Sequence, residues 1–293
     1  MTTLMVAHGA DGWTRGAARA PSGSPGSSSP ASSVSPPSAS PSPSPSPRVS
    51  QSSEDPNKAL TDRLQALDAG GATLSVAVLD LSDGRTAQYN VKSGLTYDTA
   101  SIVKIDILAT LLLQAQDDGR ALTSGEKSYA VPMVTNSDNA AATALWNIVG
   151  GSAGLNAANE RLGLTGTTAG TNGHWGLTQT TAADQITLLS QVFGKSSVLT
   201  TDSRNYIRDL MSGVSAGQSW GVSAAGDTTG LKNGWLQRSQ TALWDITSIG
   251  DVTIGDDPCL LAVLSKGNAG KNTGISLVEK AAKATASVME QGH

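Results

Sequence analysis

Apolar positions recur with two different periods after residue 56, and these periods divide the chain into helices and strands. Apolar residues three and four apart predict an amphipathic helix from about residue 57 to Gly70–Gly71. The apolar run TLSVAVLDL at 73–81 predicts a strand, and RTAQYNV at 85–91 predicts a second strand. The turn sequence Ser-Asp-Gly at 82–84 lies between them, so the two strands should form a hairpin.

A block of helices follows this hairpin, and further strands follow the helices. Helical spacing is found at 101–116, 138–149, 153–162, 181–193 and 202–212. Strand patterns return at 228–236, 242–249 and 259–265, and a helical pattern at 274–290 closes the chain. This order predicts a mixed α/β (α+β) fold, in which one antiparallel sheet is flanked by the terminal helices and carries an inserted all-helical subdomain. The cleft between sheet and subdomain is the expected place for a site.

Composition separates the chain into two parts. Residues 21–56 are almost entirely Ser, Pro, Ala and Gly, and cannot bury enough apolar surface to offset the entropy of ordering them. We therefore expect a disordered N-terminal arm and Ser/Pro-rich linker at 1–56 and a globular domain at 57–293. Such a spacer is typical of proteins tethered outside the membrane, which favours an extracellular or cell-envelope location. The chain shows no clear signal peptide and no apolar run long enough to span a membrane.

Charge and cysteine content argue against several classes of partner. The net charge is −4 and no basic run is present, which argues against nucleic-acid binding. The single cysteine, Cys259, lies in the strand-like run CLLAVL and is expected to be a buried apolar residue. One cysteine and three scattered histidines argue against a metal site, and no cofactor is expected. A monomer acting on a small-molecule substrate is the simplest expectation.

Ser101 and Lys104 are candidates for a nucleophile and its base. They lie three residues apart at the start of an apolar helical pattern, so both side chains project from one helix face. If that face is buried, desolvation lowers the pKa of the lysine, and a neutral amine can take the serine proton. The alternative is a helix cap beside a lysine that reaches out to solvent. The same S-x-x-K spacing recurs at Ser124–Lys127, in what reads as a polar connection.

A Ser-His-Asp arrangement is less well supported by the sequence. The segment at 213–217 matches G-x-S-x-G, a motif that requires a preceding strand and a following helix. A helical pattern precedes it here, so a flexible loop is the better interpretation. His174 is the one histidine that could serve such an arrangement, because the other two lie near the chain ends.

Two further motifs support the Ser-Lys interpretation. Ser-Asp-Asn occurs at 137–139 and Lys-Asn-Gly at 232–234. Alone, the first reads as a helix N-cap and the second as a strand end and turn. Together and in this order, the three motifs resemble the class A β-lactamase and penicillin-binding serine hydrolase family, whose signature set is S-x-x-K, S-D-N and K-T-G. The resemblance covers about residues 57–293.

The resemblance implies a β-lactamase/transpeptidase-like fold and a role for each motif residue. Ser101 would be the acylated nucleophile, Lys104 its base, Ser137 a proton shuttle toward the leaving nitrogen, and the backbone amides of Ser101 and Trp235 the oxyanion hole. The implied substrate-binding residues are Asn139, which would hold the substrate amide, and Lys232, which would attract its carboxylate. Asn233 would contact the substrate through its amide, which can donate a hydrogen bond, and Gly234 would let the substrate lie along that strand.

Three departures from the family pattern limit what the resemblance implies. Asn233 stands where the family has Thr or Ser, and the connection from Ser101 to Ser137 is shorter than usual. The segment 163–180 contains no Asp or Glu, although class A enzymes carry the glutamate that activates the deacylating water in this region. The nearby carboxylates, Glu160 and Asp184, read as an exposed helix residue and a capping residue. The polar residues that could orient water instead are Asn172, His174 and Gln179.

Three functions remain open at this point. The first is a β-lactamase-like serine hydrolase that deacylates slowly, because loss of a general base typically costs about 10²–10⁴-fold in rate. The second is a D,D-peptidase-like, esterase or amidase activity on a cell-wall or other acyl substrate. The third is a non-catalytic wall-binding module that has retained the fold.

Overall fold

A five-stranded antiparallel sheet is the centre of the computed structural model, which describes residues 55–291. The sheet has the order β2-β1-β7-β6-β5, so the strands from the two ends of the chain meet in the middle. Two short strands, β3 and β4, pair separately. The strands are β1 Thr73–Asp80, β2 Thr86–Asn90, β3 Tyr97–Asp98, β4 Gln179–Thr180, β5 Asp227–Gln237, β6 Trp244–Ile254 and β7 Asp257–Asn268.

Helices cover both faces of this sheet. The terminal helices α1 and α8 pack on one face, and the remaining helices form the block between β3 and β5. The α-helices are α1 Pro56–Gln65, α2 Val103–Asp117, α3 Ser124–Thr135, α4 Asn139–Ile148, α5 Gly151–Leu162, α6 Ala182–Phe193, α7 Thr201–Ser212 and α8 Lys271–Glu290. Short 3₁₀ turns lie at Ala100–Ile102, Trp175–Leu177, Ala216–Gln218 and Val222–Ala224. The predicted mixed α/β fold with an inserted helical block is confirmed.

The central strands are apolar on both sides because the sheet separates two cores. Along β1, Val76 and Val78 belong to the core under α1 and α8, whereas Ala77 belongs to the core under the helical block. Successive side chains of a strand point to opposite faces, so a strand covered on both faces reads as a continuous apolar run. Cys259 lies buried in β7, where burial raises the pKa of its thiol to about 12.

The segment that contains Ser124 and Lys127 is a helix, and the interpretation of it as a polar connection is wrong. Thr123 and Glu126 form a reciprocal capping box at its start. The apolar face comes only later in the segment, at Ala130, Met133 and Val134, all of which are buried. The polar first turn and a proline inside the helix, Pro132, obscured the helical period.

The remaining predictions concern the N-terminal spacer, the G-x-S-x-G segment and membrane-spanning helices. The predicted spacer, 1–56, lies outside the described residues except for its last two positions, where Asp55 caps α1. The G-x-S-x-G segment follows α7 directly, and no strand precedes it. Between residues 55 and 291, no helix combines the length and apolarity needed to cross a bilayer.

Candidate active site

Ser101 lies in the 3₁₀ turn that leads into α2, two residues before the α-helix begins. The preceding residue, Ala100, has φ +48°, a left-handed conformation that costs a non-glycine residue of order 1–3 kcal/mol. Tertiary contacts hold the turn in place: the hydroxyl of Thr247 on β6 donates to the Thr99 carbonyl at 2.9 Å, and the Thr99 N–H donates to the Thr178 carbonyl at 2.9 Å. The nucleophile candidate is therefore fixed by the sheet on one side and by the segment 163–180 on the other.

The Lys104 amine joins two of the three motifs. Its Nζ lies 3.0 Å from Ser101 Oγ, 2.9 Å from Ser137 Oγ and 2.8 Å from Asn139 Oδ1. It also donates to the Ser137 carbonyl at 2.6 Å. The side chain is fully buried, which rules out a lysine that reaches out to solvent.

Burial changes the protonation of this amine. It lowers the pKa of Lys104 to about 7, and the negative charge of the nearby Asp138 partly opposes that shift. An ammonium has three protons and no lone pair, so it can only donate. In the neutral form the amine can accept a proton from a hydroxyl such as that of Ser101, 3.0 Å away. The geometry and the lowered pKa together suit a general base.

Ser137 is positioned by the helix that the sequence pattern did not predict. It follows the end of α3 with φ +56°, and the backbone N–H groups of Asn136 and Asp138 on either side both donate to the carbonyl of Pro132. The Asp138 side chain then accepts from the N–H of Ala141 and begins α4. The corner between α3 and α4 thus turns the Ser137 hydroxyl toward the lysines.

Lys232 approaches the same hydroxyl from the sheet side. Its Nζ lies 3.1 Å from Ser137 Oγ and 3.0 Å from the Asn233 carbonyl, and the side chain is fully buried. Burial lowers the pKa of Lys232 to about 7, and the charge of Lys104 lowers it further in the same direction. Two amines that share one hydroxyl disfavour each other's charge, so a substrate carboxylate would stabilise the pair.

Gly234 lets β5 lie directly against the turn that carries Ser101. A Cβ on Gly234 would lie 2.5 Å from Thr247 Oγ1, 2.7 Å from the Ser101 nitrogen and 2.8 Å from the Thr99 oxygen. No side chain fits in this space, so only glycine allows the approach. The contact brings the backbone of β5 beside the backbone amide of Ser101.

Asn233 lies behind the strand and holds the chain that follows α7. It is fully buried, and its amide nitrogen donates to the carbonyls of Gln218 at 2.6 Å and Trp220 at 2.8 Å. The role implied by the family pattern, direct contact with substrate, would need this amide to release those carbonyls. In this structure Asn233 supports the wall of the cleft.

A cavity of about 280 Å³ opens beside Ser101. Asn139 lines it on one side and Trp235 on the other, and residues 173–177 close a third side. The indole of Trp235 is held between Trp220, with ring centroids 6.1 Å apart, and the Lys271 amine, 3.9 Å from its ring centroid. The wall that carries the proposed oxyanion donor is therefore supported from outside the cavity.

Trp175 covers the Lys104 amine from the helical side, a contact that the sequence did not reveal. Its ring centroid lies 5.0 Å from Nζ, and its indole N–H donates to Thr143 Oγ1 at 3.1 Å. The aromatic face attracts a positive charge but cannot accept a proton. The single tryptophan within the segment 163–180 was the only signal available beforehand.

The nearby carboxylates lie away from this cavity. Glu160 is exposed on α5, and Asp184 is buried under the segment 163–180, where it accepts from the Gly166 N–H at 2.8 Å and the Thr167 hydroxyl at 2.6 Å. The amide of Gln179 donates to Asp98, so it is also engaged elsewhere. His174 lines the cavity, and Asn172 is exposed beside it. Within residues 55–291 no group of three or more His, Cys, Asp or Glu residues could hold a metal.

The sheet, the helical block and the cleft between them define a protein with the class A β-lactamase fold. Solved structures share the fold at low sequence identity. A class A β-lactamase from Bacteroides cellulosilyticus matches with a TM-score of 0.67 and 17% identity, over 80% of this chain and 98% of that chain. The TLA-3 extended-spectrum β-lactamase matches with a TM-score of 0.68 and 16% identity, over 80% of this chain and 99% of that chain.

A third structure that shares the fold is a mutant of PBP-A, determined as its acyl-enzyme complex with penicillin G. It matches with a TM-score of 0.62 and 21% identity, over 80% of this chain and 97% of that chain.

Comparison of the sequence with protein-family models shows which family the chain belongs to. The model of the beta-lactamase enzyme family matches residues 127–288, more than half of the chain, and the chain belongs to that family. The match includes Ser137 and Lys232 and begins after Ser101. The protein named "Putative lipoprotein LppW" from Mycobacterium tuberculosis is 33% identical over 187 residues, which are 60% of this chain. The chain spans 57% of the length of that relative, and the Mycobacterium bovis protein of the same name matches equally.

Proposed function

We propose that the chain is a serine hydrolase that forms an acyl-enzyme on Ser101, reacts with β-lactam amides and releases the product slowly. One observation carries the proposal: the buried Lys104 amine lies within 3.0 Å of both Ser101 Oγ and Ser137 Oγ. Family membership and the shared fold support it. The proposed active-site domain is the globular part at 57–293.

In the acylation step, the neutral Lys104 amine accepts the Ser101 hydroxyl proton while Oγ attacks the lactam carbonyl. The tetrahedral intermediate then breaks its C–N bond, and the leaving nitrogen takes a proton from the Ser137 hydroxyl, which is replenished from Lys104. The oxyanion would be held by the backbone amides of Ser101 and Trp235, since donors aimed at the developing charge stabilise the transition state. The Lys232 amine would hold the substrate carboxylate, and Asn139 would hold the substrate amide.

Slow release is supported by what surrounds the acylated serine. Residues 163–180 contain no carboxylate, and Trp175 covers the Lys104 amine, which could otherwise activate water. Loss of a well-placed general base typically costs about 10²–10⁴-fold in rate. The acyl-enzyme should therefore accumulate.

A second candidate function is a D,D-peptidase-like, esterase or amidase activity on a cell-wall or other acyl substrate. The absence of a carboxylate from residues 163–180 favours it too, because hydrolytic clearance of β-lactams requires fast deacylation. The mycobacterial relative is named a lipoprotein, and with the Ser/Pro-rich spacer this supports an envelope or extracellular location for the present chain. A small-molecule substrate and a monomer complete the proposal.

Intact-mass spectrometry after mixing with benzylpenicillin tests the proposal. We expect a rapid mass increase equal to one penicillin, mapped to Ser101, that decays over minutes or longer. A transient adduct with rapid product release would indicate an efficient β-lactamase instead. Absence of any adduct, with benzylpenicillin and with an activated ester, would leave the non-catalytic wall-binding module.

The acylation rate should rise with pH and level off above about 7. The reason is that Lys104 acts as a base only when neutral, and its pKa is about 7. For penicillins, binding should weaken as pH rises further, because Lys232, whose pKa is also about 7 before substrate binds, loses the charge that attracts the carboxylate. With an activated ester that lacks a carboxylate, the acylation rate should rise with pH in the same way, but binding should not weaken at higher pH. Stopped-flow acylation rates from pH 5 to 9 measure both, and identical profiles for the two substrates would contradict the Lys232 role.

A further inference from the structure

His174 lines the cavity beside Ser101, and the proposed acylation step does not involve its side chain. The cavity is lined by the nucleophile, by Asn139 and by the aromatic and aliphatic residues of two walls. Among the described residues that line it, His174 is the one that carries an imidazole, the side chain most often used as a general base. Lys104 lies behind the Trp175 indole and is engaged by both serines.

The backbone around His174 is firmly held. Its N–H donates to the Thr171 carbonyl at 2.9 Å, and its own carbonyl accepts from the Leu177 N–H at 2.9 Å. A Cβ at Gly170 would lie 2.1 Å from the His174 oxygen, so the neighbouring chain packs directly on this carbonyl. The fixed backbone keeps this residue at the wall of the cavity.

The imidazole itself has no assigned partner in the described part of the chain. It makes no hydrogen bond to residues 55–291, and the residue is exposed. A histidine that packs as a structural residue is normally buried with its ring nitrogens satisfied. An accessible imidazole at the mouth of a reactive cavity can instead bind and activate water.

We propose that His174 is the general base that deacylates Ser101. This inference rests on the proposed function. A water molecule attacks the acyl carbon of the Ser101 ester and gives its proton to a ring nitrogen of His174. The tetrahedral intermediate then collapses as the bond from carbon to Ser101 Oγ breaks, and Oγ takes up the proton that water gave to His174, relayed through the neutral Lys104 amine. The acyl-enzyme and one water thus become free Ser101 and the released acid, with no net gain or loss of protons.

This assignment also accounts for slow rather than absent release. His174 is exposed and its ring is not oriented by a second hydrogen-bonding group, whereas efficient bases are held in place by one. We therefore expect the base to contribute at the low end of the usual range of about 10²–10⁴-fold.

The test measures acylation and deacylation separately in two variants, His174→Ala and His174→Gln, with benzylpenicillin. We expect the acylation rate to stay within about twofold, while the decay of the adduct slows by about 10²-fold. Wild-type decay should change with pH, and decay in His174→Gln should lose that dependence. Added imidazole should partly restore decay in His174→Ala.

Thr171→Ala is the matched control, because Thr171 is exposed in the same segment and does not line the cavity. It should leave both rates unchanged. Adduct decay that is equal in wild type and both His174 variants would overturn the His174 assignment and leave the proposed function intact. If wild type forms no adduct with benzylpenicillin or an activated ester, the proposed function fails and the assignment with it.

Discussion

Replacement of Lys104 with alanine is expected to lower the rate of Ser101 acylation by about 10²–10⁴-fold, the usual contribution of a general base. Among residues 55–291, the amine is the one group within 3.0 Å of both Ser101 Oγ and Ser137 Oγ. Its removal leaves the nucleophile without an acceptor for its proton. The adduct with benzylpenicillin, followed by intact mass over time, measures the effect.

The same substitution tests the fold and the chemistry separately. Loss of the amine leaves Asn139 Oδ1 and the Ser137 carbonyl without their present donor, which should cost about 1–3 kcal/mol. Thermal unfolding monitors this loss, and a folded but inactive variant is the expected result. An undiminished acylation rate in the folded variant contradicts the base assignment.

A matched control is available on α3. Ser124 and Lys127 repeat the S-x-x-K spacing, but Lys127 is exposed and its side chain makes no hydrogen bond to Ser124 among the described residues. Lys127→Ala should therefore leave acylation unchanged. That contrast between the two variants would show that burial, rather than sequence spacing, makes a lysine a base.

Replacement of Gly234 with alanine is expected to have the second large effect. The added Cβ would meet Thr247 Oγ1 at 2.5 Å and backbone atoms of Ser101 and Thr99 at 2.7 and 2.8 Å. Backbone atoms cannot rotate away, so β5 or the 3₁₀ turn must shift. Overpacking of this kind costs about 1–3 kcal/mol. The shift would also separate the two backbone amides proposed for the oxyanion hole, and loss of one such donor costs about 10²–10³-fold in rate.

Acylation rate and melting temperature together measure this effect. Gly217→Ala is the control, because a Cβ there has no neighbour within 4 Å. It should change neither quantity. If Gly234→Ala acylates at the wild-type rate, the backbone of β5 has no part in the reaction, and the proposed role of Trp235 fails.

The sequence predicted the sheet and most helices because their apolar periods are strong and local. Val76, Ala77 and Val78 form a continuous apolar run, and the structure shows why, since β1 is covered on both faces. The helix α3 escaped prediction because its first turn is polar and Pro132 interrupts its pattern. Its end nevertheless positions Ser137, so the missed element matters for the site.

The sequence predicted which residues belong to the candidate site from three motifs in a fixed order. The distances between those residues come only from the structure. Ser101, Ser137 and Lys232 are 36 and then 95 residues apart in the chain, and no local rule brings them together. The contacts of Asn233 with Gln218 and Trp220 depend on how the segment after α7 packs behind β5.

The sequence alone specifies which chemical groups are available at the site, namely two serines and two lysines, and it shows that residues 163–180 contain no carboxylate. The protonation and surroundings of these groups depend on the tertiary structure. Full burial of Lys104 and Lys232, rather than any neighbouring residue in sequence, lowers the pKa of both amines to about 7. The position of the Trp175 ring over the Lys104 amine also depends on tertiary packing. The physical reason is that desolvation and charge interactions depend on packing between distant segments, which a local pattern does not record.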